Sequence, residues 1–359
     1  MSTLQISLAI IGGLLLAIVV AHSAWTARKN LPRQPTPDPV APAIEPTAGD
    51  LMPHGEDSLP ERLEPGFDGD SSLDALTALT LPEKKPGLDA LIDVIAPIAV
   101  DSVVSGEAAL AAMPGSRRAG SKPFAIEGLS LVTGAWETPA AGQRYSAFQA
   151  GVQLANRTGA LNQIEFSEFV MKAQAFADAI DGQPEFPDML DEVARARELD
   201  QFASAHDAQL GFTLRARHTA WSPGYVHQSA AKLGFVAGSI PGRMVLPASQ
   251  SGPHAPPVLG LSFDTQAAMA EEPEQTALRE LTLSLDVPQV LRDEQPFVRL
   301  CEAAITLASS MDGVIIDDQG QPIRPEAMEA IHADLEQLYN TLEERDMPAG
   351  SALGRRLFS

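Results

Sequence analysis

The sequence predicts an α+β fold, an antiparallel sheet with helices packed on one face, preceded by an N-terminal transmembrane helix and a disordered linker. Three observations lead there. Gln209–Arg217, Val258–Asp264 and Leu281–Val287 alternate apolar and polar residues, the mark of half-buried strands. The stretches around them carry apolar residues at helical spacing. Ahead of both, an uncharged apolar run gives way to a region rich in proline and acid.

Leu4–Trp25 reads LQISLAIIGGLLLAIVVAHSAW, without Asp, Glu, Lys or Arg. About 20 apolar residues cross a bilayer as a helix, which satisfies every backbone polar group internally. Trp25 falls where an interfacial aromatic sits. Arg28, Lys29 and Arg33 follow, with no basic side chain before the run, so the positive-inside rule puts the C-terminal side in the cytoplasm. A cleaved signal peptide would need a basic start and a shorter apolar stretch. Residues 1–27 are therefore expected to form an anchor.

Residues 28–121 are expected to be linker. Thirteen of the 29 prolines fall in Asn30–Ser121; proline removes backbone donors and restricts its neighbour, so this stretch should stay extended and set the reach of the domain beyond it. Leu73–Leu81 and Leu88–Val104 interrupt it with apolar residues. LDALIDVIAPIAV in the second reads as a short amphipathic helix ending before Pro97, either transient or a docking segment.

From Lys122 the pattern is that of an ordered chain. Residues 122–206 are expected to be an ordered extension, with a helix over Glu165–Ile180. Residues 207–346 are expected to form the main domain, and 347–359 a tail. Ser222 is placed as the N-cap of a helix starting at Pro223. Pro296–Met311 is expected to be helical with Val298, Cys301, Ile305 and Ala308 inward. Gly313–Asp317 reads as a short buried strand, and Glu326–Arg345 as a helix striped with Met328, Ile331, Leu335, Leu338 and Leu342. GVQLANRTGALNQIEF from Gly151 and GVIIDDQGQPIRPEA from Gly313 share a strand–turn–helix pattern, which suggests an internal duplication or a chance likeness.

Composition and motifs narrow the chemistry. The formal net charge is -22, and no run of Lys and Arg offers a footprint for nucleic acid. The single cysteine, Cys301, excludes an intramolecular disulfide and reads as core packing. No Walker, GxGxxG, GxSxG or HExxH motif is present. His218 and His227 lack close carboxylates in sequence, Asp317-Asp318 reads as a polar turn, and His332 with Glu336 reads as a surface pair. No cofactor, metal site or catalytic group is expected.

MDGVIIDDQGQPIRPEAMEAIHADLEQLY (Met311–Tyr339), LRELTLSLDVPQ (Leu278–Gln289) and KLGFVAGSI (Lys232–Ile240) resemble the ZipA family of membrane tethers for the tubulin-like division protein FtsZ. The resemblance covers about Ala208–Arg345 and implies a split β-α-β sheet backed by helices, its open face taking the FtsZ C-terminal peptide. It implies a peptide-binding face of Gly211, Thr213, Arg215, Ile240, Val258, Gly260, Ser262, Thr282 and Ser284. It further implies a cell-division adaptor, not an enzyme, at the cytoplasmic face of a bacterial inner membrane. The alternatives are a membrane-anchored enzyme or a periplasm-facing envelope scaffold. The sequence departs from the family where an apolar floor is implied, with Ser284 in place of an aromatic and Asp264 near an implied methionine. Arg215, Arg217 and Arg243 are candidates to pair with an acidic peptide.

Overall fold

The computed structural model describes residues 32–35, 87–249, 256–317 and 320–359. The expected anchor and the Leu73–Leu81 patch lie outside the described residues. Among the described residues, no helix is long and apolar enough to cross a membrane.

The fold is α+β, built as two sheets of six strands each. The first module runs β1 (Asp93–Ser105), α1 (Gly106–Ala112), β2 (Arg118–Ala119), β3 (Lys122–Ser130), β4 (Trp136–Glu137), β5 (Arg144–Gln153), the hairpin β6 (Ala155–Asn156) and β7 (Gly159–Ala160), α2 (Gln163–Ala179), β8 (Gly182–Pro184) and α3 (Met189–His206). The second runs β9 (Gln209–Ala216), α4 (Pro223–Ala231), β10 (Val236–Ala237), β11 (Arg243–Leu246), β12 (Leu259–Ser262), α5 (Thr265–Ala268), β13 (Glu280–Asp286), α6 (Pro296–Met311), β14 (Gly313–Ile316) and α7 (Pro325–Glu343). A last helix, α8 (Ala352–Leu357), comes after them.

Order therefore begins well before Lys122. Leu88–Val104, expected as linker or transient helix, supplies β1, a central strand of the first sheet. Pro97 is the source of that difference. Its carbonyl accepts from Glu185 N–H, so its nitrogen also faces the β8 side, where pairing spans only Ile98–Val100. The missing donor thus costs no bond to β5. At the other end of the expected linker, Pro32 is buried, and Arg33 pairs through its backbone with the second module (N–H to Ala220 O, 2.7 Å; O from Ser222 N–H, 2.9 Å).

The two modules share one topology. Strands run β3-β5-β1-β8 in one sheet and β12-β13-β9-β14 in the other, all antiparallel. Their ladders match position by position. Ile98 opposes Phe148 and Pro184, as Leu214 opposes Leu281 and Ile315. Val100 opposes Gly182, as Ala216 opposes Gly313. Phe166, Phe169, Ala173 and Phe176 of α2 are buried at the spacing of Phe297, Leu300, Ala304 and Leu307 of α6. Both helices run into an aspartate at positive φ, Asp181 (54°) and Asp312 (55°), followed by the glycine that starts the last strand. The suggested duplication is thus present in the topology, but one strand–helix unit out of step with the sequence alignment: Gly313 corresponds to Gly182, and Gly151 to Ser284.

Helix α6 is turned one residue from expectation. Leu300, Leu307 and Met311 face the core, whereas Val298 and Ile305 are exposed. The expected tail is a packed element. Leu357 and Phe358 are buried, Gln153 Nε2 donates to Arg356 O (2.8 Å), and Gln289 Nε2 donates to Phe358 O (2.7 Å). The C-terminal segment therefore bonds to both modules. Arg157 also joins them, pairing with Asp207 (2.6 Å) and Asp286 (2.7 Å).

Candidate functional site

Strand alternation gives each sheet two faces. In the second sheet, Phe212, Leu214, Leu281, Leu283, Leu259 and Leu261 point into the core beneath α6. The intervening residues form the opposite face. Thr213 sits across from Thr282 and Gly211 across from Ser284 on one side of β13; Gly260 and Ser262 oppose Ser284 and Thr282 on the other. Gly211, Arg215 and Ser284 are exposed, and Thr213, Gly260, Ser262 and Thr282 half-buried. Among the described residues this face is open to solvent. A side chain at Gly260 would come within 2.6 Å of Ser284 Oγ, so glycine there keeps the serine upright.

Two residues implied for this face lie elsewhere. Val258 precedes the ladder of β12 and is 1% exposed, packed in the core. Ile240 lies in the bend between β10 and β11, exposed but off the sheet. The arginines are largely engaged. Arg215 Nε pairs with Glu280 (2.6 Å) across the strands, and Arg217 Nε donates to Gly313 O (2.9 Å). Asp264 caps α5, accepting from Gln266 N–H at 2.9 Å.

The corresponding face of the first sheet differs in chemistry. Ile95, Pro97 and Ala99 of β1 stand where the second has Gly211, Thr213 and Arg215. Ala147, Gln149 and Gly151 stand in place of Glu280, Thr282 and Ser284. Thus the Arg215–Glu280 ion pair is matched by an Ala99–Ala147 apolar pair. Alongside, Leu129 pairs with Trp136, which is 36% exposed. At the far end Leu88 lies over Gly151, where any side chain would collide with it, and its N–H donates to Glu127 Oε1 (3.1 Å).

The remaining candidate groups have packing or pairing roles. His218 Nδ1 lies 3.1 Å from Asp312, which also pairs with Arg33 (3.2 Å). His227 packs edge-on against Phe263, and burial pushes its pKa down. Asp317 accepts from Gln321 N–H (2.8 Å) in a polar turn. Burial raises the Cys301 thiol. His332 and Glu336 do not pair with each other. His332 stacks on Phe297 (5.8 Å) and Glu336 pairs with Arg292, beside an open groove of about 690 Å³. Sequence reasoning missed that groove because Arg292 reaches it from a loop. Tyr339 closes its floor; burial pushes its hydroxyl up to about 12. No cluster of three or more potential metal ligands occurs among the described residues.

An open strand face with a helix-covered reverse defines a binding module of the sheet-surface kind, suited to an extended or helical peptide. Residues 266–334, from α5 into α7, match the family model of the ZipA C-terminal, FtsZ-binding domain, so the second module is similar to that domain over this stretch. A search of curated proteins found no match. The matched family is a binding domain and not a known enzyme family.

Proposed function

We propose that the protein holds FtsZ filaments at the cytoplasmic face of the inner membrane without catalysing a reaction. Leu4–Trp25 is its single-pass anchor, and the open face of the second sheet takes the FtsZ C-terminal peptide. Gly211, Thr213, Arg215, Gly260, Ser262, Thr282 and Ser284 form the floor of that site. The supporting observation is the free outer face of a sheet whose reverse is sealed by helices, within the module matched to the FtsZ-binding family. The floor is polar, so little of the roughly 25 cal/mol per Å² of apolar burial is available there and each contact is weak. Many weak contacts with a polymer still add up to firm attachment.

Titrating the full chain in detergent with labelled FtsZ tail peptide tests this. Saturable binding weakened by Ser284→Glu is expected. A signal that stays linear to millimolar peptide removes the reading. The topology is checked separately: alkaline phosphatase fused after Ser359 should be inactive, and an active fusion would place the modules in the periplasm.

A further inference from the structure

We infer that the outer face of the first sheet is a second peptide-binding face, and that it takes the apolar portion of another FtsZ tail. This rests on the tail being the ligand of the second module.

Three observations carry it. Four strands of the first module, β3-β5-β1-β8, repeat β12-β13-β9-β14 of the second in register, although no family match covers them. The helices cover the same side in both, which leaves equivalent faces open. Second, the open face here has the apolar character that peptide capture uses. Leu129 pairs with Trp136 at the β4 edge, Ala147 and Ala99 face each other on the next two strands with Pro97 further along β1, and the positions that form an ion pair in the second module are both alanine. A partly exposed tryptophan beside small apolar residues is the kind of anchor on which interface energy concentrates. Third, the chain itself shows what this face accepts. Leu88 is seated on it over Gly151, with its backbone N–H bonded to the Glu127 carboxylate. An aliphatic side chain, with one polar partner for the main chain, is therefore already accommodated on this face, at the end away from Trp136.

The occupant is a peptide carrying leucine-like or aromatic side chains. A second FtsZ tail is the form of it that the neighbouring, matched module selects. Two unequal faces held together by the C-terminal segment make the adaptor bivalent. A filament presenting tails in series would bind with an avidity roughly 10²–10⁴ above either face alone, where the spacing fits.

The experiment is isothermal titration of the full chain in detergent with FtsZ tail peptide, together with tryptophan emission in a Trp25→Phe background, where the buried Trp221 also emits and the difference from Trp136→Ala isolates Trp136. Two peptides per chain are expected, with a blue shift of Trp136. Ala147→Glu should weaken one site at least tenfold and leave the other intact, and Trp136→Ala, on the exposed side, should do the same without entering the core. One peptide per chain, unaffected by either substitution and lost with Ser284→Glu, overturns this inference and leaves the second-module reading standing. One peptide per chain, lost with Ala147→Glu but not with Ser284→Glu, supports this face and overturns the other. No saturable binding overturns both.

Discussion

The two modules place the same strands, the same ladder and the same helix stripe around different surfaces. In the first, α2 meets the sheet with phenylalanines: Phe169 and Phe176 are fully buried, and Phe148 packs edge-on with Phe176 at 5.3 Å. In the second, the matching positions are Leu300 and Leu307. Outside, the order reverses. The first sheet shows proline, alanine and tryptophan, and the second shows threonine, serine and a cross-strand ion pair. A fold tolerates this because inward positions are constrained by volume, whereas outward positions answer only to solvent or a partner.

The sharpest way to break the comparison is to damage matched core positions. Phe176→Ala should cost about 3–5 kcal/mol and Leu307→Ala about 2–5 kcal/mol, since each leaves a cavity in a fully packed layer. Because the C-terminal segment bonds to both modules, urea unfolding of either variant should remain a single transition. Removing Met347–Ser359, with its buried Leu357 and Phe358, should split it into two. A single transition after the truncation would show that Arg157 and the direct contacts suffice to couple them.

Next in size is the ion pair that ties this segment to the first module. Asp93 is fully buried and accepts from Arg356 Nη2 (2.5 Å) and Asp89 N–H (2.8 Å). Burial pushes its carboxyl above the ordinary 3.8, outweighing the pull of Arg356. A raised carboxyl contributes stability that is complete below about pH 3.8 and lost as pH climbs through the folded value. Arg356→Ala removes the counter-charge and raises that value further. Its deficit should therefore be small near pH 4 and grow to about 3–5 kcal/mol at pH 7, where a lone carboxylate is left buried. A deficit independent of pH would mean that Arg356 acts through packing alone. Asp93→Asn should flatten the wild-type profile over the same range.

Smaller again is the link through Arg157, whose guanidinium is shared by Asp207 and Asp286 and held above its ordinary pKa mainly by its hydrogen bonds to Asp286 and then Asp207. These groups are partly solvated, so Arg157→Ala should cost about 1 kcal/mol at low salt and less at roughly 0.5 M. A loss unchanged by salt would point to packing of the β6–β7 hairpin.

Much of this fold is legible from residue patterns. The alternation in Gln209–Arg217 and Leu281–Val287 places both strands and their open face, and Ser222-Pro223 marks a helix start that the structure bears out. The elements that patterns miss are hidden for physical reasons. β1 is masked by Pro97, whose missing donor faces outward from its neighbour β5. Val258 continues an alternation one residue past the ladder that enforces it. On α6, small and large apolar residues lie on both sides, so the choice between the Leu300–Leu307 stripe and the Val298–Ile305 stripe waits on which side meets a sheet. The repeat does not show in similar letters, Gly-Val and a polar turn. Its signal lies in the spacing of buried residues and the Asp-Gly that ends each helix. The tail has too few residues for a period, and its burial depends on a cleft formed by elements far away in sequence.

The Asp-Gly pair offers the finest test of equivalence. An L-residue in the left-handed region carries a strain that glycine avoids, so Asp181→Gly should stabilise the protein by roughly 0.5 kcal/mol after the entropy of the unfolded glycine is subtracted. Asp312 has the same backbone, but its carboxylate also meets Arg33 and His218. In Asp312→Gly the relief of strain is offset by release of the Pro32–Gln34 segment, so the net change should be near zero or unfavourable, and Arg33 should become accessible to trypsin. Equal gains at both positions would show that the Arg33 backbone pairing with Ala220 and Ser222 holds the segment without the ion pair. The two helix ends would then be interchangeable in energy as well as in shape.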